Sequence, residues 1–106
     1  MRKSLKVIHW DPAWGPVSEQ VMRDQLEAAG YGVSQYRYSP GTYFPPHTHS
    51  VHKCDAVLTG TLNIAWEGGS VVLQAGDRIE IPAGASHSAE VVGPETVLSL
   101  DATKAP

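Results

Sequence analysis

The chain has 106 residues, enough for one domain with a buried core and too few for two. An apolar share of 42%, a charged share of 18% and a formal net charge of −3 are ordinary for a soluble globular protein. The eight basic residues are scattered among eleven acidic ones, which excludes a basic stripe for nucleic acid and a polybasic patch for a membrane surface, and no apolar run nears the ~20 residues of a spanning helix. The first ten residues carry basic charge but no continuous apolar stretch of signal-peptide length, so a cytoplasmic location is expected. The single cysteine, Cys54, has no intrachain disulfide partner, and the fold must hold by packing.

In chain order, Lys6 to His9 reads as a strand that adds to a sheet edge. From Val17 to Ala29 the apolar residues Val17, Val21, Met22, Leu26 and Ala29 recur at helical spacing. Pro16 suits the first helical turn and Gly30 the position just past the end. Beyond Gly30 the pattern changes to eight short β-prone runs: Tyr31 to Tyr38, Tyr43 to His47, Cys54 to Thr59, Leu62 to Trp66, Val71 to Gln74, Arg78 to Ile81, His87 to Val92 and Thr96 to Leu100. Turn residues separate them, among them Ser39-Pro40-Gly41, Glu67-Gly68-Gly69 and Pro82-Ala83-Gly84. The run Val71-Val72-Leu73 is too apolar for a solvent-facing strand, and the tail from Thr103 to Pro106 is expected to be loose. Many short strands without intervening helices predict an antiparallel sandwich or barrel.

Five histidines occur, and three of them fall in His47-Thr48-His49-Ser50-Val51-His52, directly after Pro45-Pro46. On an extended chain residues two apart share a face, so His47 and His49 can address one point. A second constellation runs from Gly76 to His87 and sets a histidine just after a Pro-Ala-Gly turn.

These two segments resemble the paired motifs of the cupins. Gly41 to His49 matches the start of the first motif: Gly, five residues, His, any residue, His. Gly60 fits its closing glycine, and Gly76 to His87 matches the second motif: Gly, five residues, Pro, four residues, His. The match covers Gly41 to Gly93, about half of the chain. The resemblance implies an all-β fold, a double-stranded β-helix (jelly-roll cupin barrel) with one N-terminal α-helix. Residues 1–106 would form a single cupin domain, 1–39 supplying the N-terminal strand, helix and strand and 40–102 the motif barrel. It also implies a divalent transition metal (Mn, Fe, Ni, Cu or Zn) held by His47, His49 and His87.

The sequence departs from the pattern at the fourth ligand, where many cupins carry a Glu. Counting back from Gly60 puts that place at Lys53, and counting forward from His49 puts it at Cys54. A lysine is protonated near neutral pH and repels a metal, whereas Cys54 would ligate as a thiolate or serve as a small buried apolar residue. His52 offers a fourth imidazole if its loop bulges, and Asp55 can accept from a ligand imidazole or pair with Lys53 at the surface. Val91 replaces a customary Asn. His9 reads as edge packing; Tyr36, Tyr38, Tyr43, Phe44 and Trp66 as core, barrel mouth or interface; Arg37, Arg78 and Glu80 as exposed strand charge.

Two function classes follow. One is an enzyme acting on a small oxygenated or sugar-acid-like substrate, of dioxygenase, isomerase or lyase type. The small cupins that open unsaturated uronates share the spacing from the second His to the closing Gly, although they carry a Gln where this chain has Lys53. The other class is a non-catalytic module that binds an anionic small molecule through Lys53 and the histidines. A homodimer is expected, in which Leu5 to Trp10 covers the partner's sheet edge.

Overall fold

The computed structural model describes residues 4–106. Its elements in chain order are β1 (Lys6–Ile8), a 3-10 turn (Pro12–Trp14), α1 (Glu19–Ala28), β2 (Gly32–Tyr38), β3 (Tyr43–His47), β4 (His52–Thr59), β5 (Thr61–Trp66), β6 (Gly69–Leu73), β7 (Arg78–Ile81), β8 (His87–Val92) and β9 (Val97–Lys104). The strands form a five-stranded sheet, β1-β7-β4-β9-β2, and a four-stranded sheet, β3-β8-β5-β6, with every recorded pairing antiparallel. This is the expected all-β jelly roll with one N-terminal helix.

Alternation along the two central strands explains the layers. On β4, Val57 points between the sheets, where it packs with Leu62, Ile64, Leu73, Ile79, Ile81, Val91 and Val97. Its neighbours Cys54, Ala56 and Leu58 point the other way, into a second cluster with Leu100, Ala102 and the helix residues Met22 and Leu26. The five-stranded sheet is therefore buried on both faces along β4 and β9, so apolar residues there are not confined to alternate positions: Ala56, Val57 and Leu58 run consecutively, as do Val97 and Leu98. The helix covers the outer face through Met22 and Leu26, both buried.

The helix boundaries follow from local chemistry. Ser18 is the N-cap, its hydroxyl accepting from the Val21 amide at 3.3 Å. Pro16 thus lies before the helix rather than in its first turn, because the Ser18 hydroxyl can satisfy an amide that a proline ring cannot. At the other end Gly30 has φ +94°, and the Tyr31 and Gly30 amides return to the carbonyls of Leu26 and Glu27 at 3.1 and 3.0 Å. That is a Schellman ending, closed by the apolar contact of Tyr31 with Leu26. Asp11 caps the 3-10 turn, which apolar periodicity did not disclose, by accepting from the Ala13 amide at 2.8 Å.

Three expectations need correction. The tail is ordered by pairing: Thr103 lies between Gly32 and Lys53, and Lys104 Nζ donates to the Ala29 carbonyl at 3.1 Å while resting on the Tyr31 ring. Val72 is exposed, because β6 is an edge strand whose apolar content is shared between a core residue, Leu73, and an open face. The segment around Leu5 to Trp10 does cover a sheet edge, but it is this chain's own: Lys6, Val7 and Ile8 pair with Glu80, Ile79 and Arg78.

Two motif glycines earn their places sterically. A Cβ on Gly60 would lie 2.8 Å from the Thr96 carbonyl oxygen, and one on Gly76 would lie 2.6 Å from Trp10 Cβ, at φ +78° and +93° respectively. Both turns close the barrel only without a side chain.

Candidate metal centre

His47 ends β3 and His87 begins β8, and the two are direct cross-strand partners. Their ring centroids are 4.5 Å apart. His49 lies beyond the end of β3, in the loop to β4, with its ring 4.8 Å from His47 and 5.4 Å from His87. One potential ligand atom from each of the three falls within 4.8 Å of the others. The loop geometry is fixed by the turn that precedes His87: the Gly84 amide donates to the His49 carbonyl at 2.9 Å. His52 fastens the same two segments, its Nδ1 accepting from the Ala83 amide at 3.0 Å. His52 does not join the group of the other three imidazoles and lines a separate pocket with Ala29, Tyr31 and Lys104.

Hydrogen bonding sets two of the tautomers. His47 Nδ1 lies 2.7 Å from the Pro45 carbonyl oxygen and His87 Nδ1 3.1 Å from that of Ala85. A carbonyl only accepts, so each Nδ1 carries the proton and each Nε2 presents a lone pair. His49 Nε2 is buried and has no hydrogen-bond partner among the described residues. Burial lowers the pKa of His49, helped by the charges of Lys53, His47 and His87. Burial likewise lowers that of His87, against the opposing hydrogen bond to Ala85. Three inward-facing imidazoles, with His49 and His87 favoured in the neutral form and His49 Nε2 orphaned, fit the needs of a borderline divalent cation.

The imidazoles open onto a cavity of about 150 Å3 between the sheets. Its opposite wall comes from the five-stranded sheet. Lys53 and Asp55 follow the inward face of β4, and Asp101, the cross-strand partner of Asp55, joins them from β9. Lys53 Nζ lies 3.2 Å from Asp55 Oδ1 and 3.8 Å from Asp101 Oδ2, with the Lys53 and Asp55 side chains only 13% and 10% exposed. This is a buried ion network, not the surface pair expected from sequence. Asp101 is held further by the Tyr38 hydroxyl, which donates to Oδ2 at 2.9 Å, and by Ser99, which donates to Oδ1 at 2.6 Å. Burial pushes the Asp55 carboxyl above the usual range while the Lys53 ammonium opposes that rise. For Lys53 burial acts to lower the pKa, but Asp55 and Asp101 outweigh it and hold the ammonium protonated. Burial and the neighbouring Asp101 raise the Tyr38 phenol, keeping it a hydrogen-bond donor.

Of the other candidates only Tyr38 and Phe44 reach this cavity. Cys54 points to the helix side, fully buried, and burial pushes its thiol up to about 12, so it offers the centre no thiolate. Tyr38 and Phe44 line the cavity in a T-shaped contact, whereas Tyr36 and Tyr43 are exposed and Trp66 packs beside the core. Arg78 turns to the helix and donates to Gln25 Oε1 at 2.8 Å. His9 pairs with Asp77 at 2.8 Å. Asp101, Ser99 and Tyr38 were not singled out as a group in the sequence. The available signal is the alternation of Val97, Ser99 and Asp101 on β9, which sets two polar residues on the inward face.

The family model for the cupin domain matches residues 34–102. The chain belongs to the cupin family. Among curated proteins none matches it. Of the similar solved structures, a protein of unknown function from Rhizobium leguminosarum bv. viciae 3841 is 23% identical, with a TM-score of 0.66 over 74% of this chain and 73% of that one. A conserved protein of unknown function from Streptococcus pyogenes is 21% identical, with a TM-score of 0.64 over 72% of this chain and 65% of that one, so this chain spans slightly under two thirds of its length. KdgF from Halomonas sp. is 21% identical, with a TM-score of 0.60 over 67% of each chain. At these identities the likeness concerns the fold. Among the described residues no helix is long and apolar enough to cross a membrane.

Proposed function

We propose that this protein is a small metal-dependent cupin in which His47, His49 and His87 hold a divalent transition metal, and that it acts on a small oxygenated or sugar-acid-like molecule. The observation that carries this reading is the convergence of three imidazole ligand atoms within 4.8 Å. Two of the rings have Nδ1 committed to a backbone carbonyl, so the lone pair on Nε2 is free for the metal. A divalent ion bound there supplies Lewis acidity to a substrate oxygen, and three protein donors leave it room to do so. The chain's own contribution is to fix the imidazoles in their ligating tautomers, to keep His49 and His87 neutral by burial, and to shape the cavity with Tyr38 and Phe44. Lys53, in the place of the customary fourth ligand, is turned to its two carboxylates and adds no donor to the centre.

The alternative, a pocket that captures an anion through a cationic Lys53, has less support. The ammonium already faces two carboxylates, and the buried imidazoles favour the neutral form. We further read residues 1–106 as one cytoplasmic domain that forms a homodimer, with the edges β2, β3 and β6 offering pairing surfaces.

Elemental analysis of untagged protein tests the metal reading. We expect close to one equivalent of metal per chain, taken up from Mn, Fe, Ni, Cu or Zn, and a His87→Ala variant with most of that occupancy lost. Occupancy under about a tenth of an equivalent with no uptake on addition would refute it. Light scattering after size exclusion tests the dimer, and a monomer at micromolar concentration would refute that part.

A further inference from the structure

The wall facing the imidazoles is expensive to build. Three ionised side chains, Lys53, Asp55 and Asp101, lie between two sheets where the fold elsewhere places Leu, Ile and Val, and replacing such a group with apolar residues is often stabilising. Its charges do not balance. One ammonium serves two carboxylates, so with both acids ionised the wall carries one uncompensated negative charge, +1 − 2 = −1. Both oxygens of Asp101 accept hydrogen bonds, from Tyr38 and from Ser99. Lys53 is the one cationic side chain among the described cavity-lining residues, and no arginine is among them.

A ligand in this cavity meets two different surfaces. On one side the imidazoles present lone pairs for a cation that would take a carboxylate or hydroxy-carboxylate. On the other it meets carboxylate acceptors, with the only ammonium already engaged. A hydroxyl can donate to Asp55 or Asp101, whereas a second carboxylate or a phosphate would be placed against net negative charge at low dielectric with nothing to pair with.

We propose that the Lys53–Asp55–Asp101 wall is the specificity determinant of the site, selecting hydroxylated monocarboxylates and rejecting ligands with a second anionic group. This rests on the three-histidine metal reading above and names the substrate class for it. Exclusion is built in by leaving one wall charge uncompensated, so that the wrong ligand is penalised more than the right one is rewarded.

Cobalt(II)-loaded protein provides the test, because binding of an oxygen ligand is read from the cobalt absorption bands without any turnover. The probes are glycerate and tartronate, which share a three-carbon skeleton and a hydroxy-carboxylate end but differ in having a hydroxyl or a second carboxylate at the other. Titrations are run at pH 8, and the ratio of the two affinities is compared with that for aqueous cobalt(II). The ratio should favour glycerate by about tenfold more on the protein than in water, a factor expected for one like charge a few ångströms away in a partly buried site. Asp101→Asn, which keeps the shape and one acceptor oxygen while its NH2 group can donate to whichever of the Tyr38 and Ser99 hydroxyls turns to accept, should abolish most of that preference, and Asp55→Asn should do the same from the neighbouring strand. Cobalt uptake with an aqueous-like ratio, or a ratio unmoved by both variants, would overturn the specificity inference and leave the metal centre standing. Failure to take up cobalt would overturn both.

Discussion

Lys53→Met puts the buried ion network under direct strain. The substitution keeps the length and apolar stem of the side chain and removes only the ammonium, leaving Asp55, with its side chain 10% exposed, without its cation. Breaking a buried pair in this way costs about 3–5 kcal/mol, against a total stability of roughly 5–15 kcal/mol for a domain of this kind. The loss should depend on pH, with a definite sign. Burial holds the folded-state pKa of Asp55 above its unfolded value, and removing Lys53 raises it further. A carboxyl with a raised folded pKa favours the native state below its unfolded pKa and loses that contribution as pH rises through the folded one. The variant should therefore be weakest at pH 8 and recover part of its deficit relative to the parent by pH 5, as Asp55 takes a proton. Urea unfolding of the metal-free protein at the two pH values measures this, and Lys53→Met with Asp55→Asn should regain much of the loss at pH 8 because no unpaired charge remains on β4. A deficit under about 1 kcal/mol that is the same at both pH values would refute the reasoning, since that is how a solvent-screened pair behaves.

Other outcomes follow from the same geometry. Because burial lowers the pKa values of His49 and His87, metal affinity should weaken little between pH 8 and pH 7; a steep loss beginning above pH 7 in a chelator-competition titration would contradict this. Gly76→Ala should lower the urea-unfolding free energy by about 2 kcal/mol or more, because a Cβ there strikes Trp10 at a positive φ, whereas Gly41→Ala, at a similar φ of +81° but with open space around it, should cost less. Cys54, with its thiol pushed up to about 12, should resist a thiol reagent at pH 8 in the native state and react fully once the protein is unfolded.

The part of this molecule legible in the sequence is the part set by local chemistry. Helix α1 was readable from apolar spacing and from Gly30, whose positive φ ends it, although Ser18 rather than Pro16 opens it. The turns at Gly60 and Gly76 were legible because only glycine fits them, and the three histidines because their spacing from those turns follows the cupin motifs. Their convergence was inferred from a shared strand face, yet His49 lies past the end of β3, and the Gly84 amide holding its backbone sets its place. What the sequence could not disclose depends on pairings between distant segments. His52 looks like a ligand by proximity along the chain, but a hydrogen bond to Ala83, 31 positions away, turns it into a fastener. Asp55 and Lys53 look like surface charge until β9 is laid beside β4 and Asp101 arrives opposite Asp55. The tail from Thr103 looks loose until Gly32 and Lys53 flank it. Motif and turn chemistry act over a few residues, so the sequence alone singles out the three histidines, while the β3–β8 pairing sets His87 beside His47 and the Gly84 amide places His49. The opposing charged wall is assembled by strand register across 46 or more positions, 101 − 55 = 46, which only the tertiary structure decides.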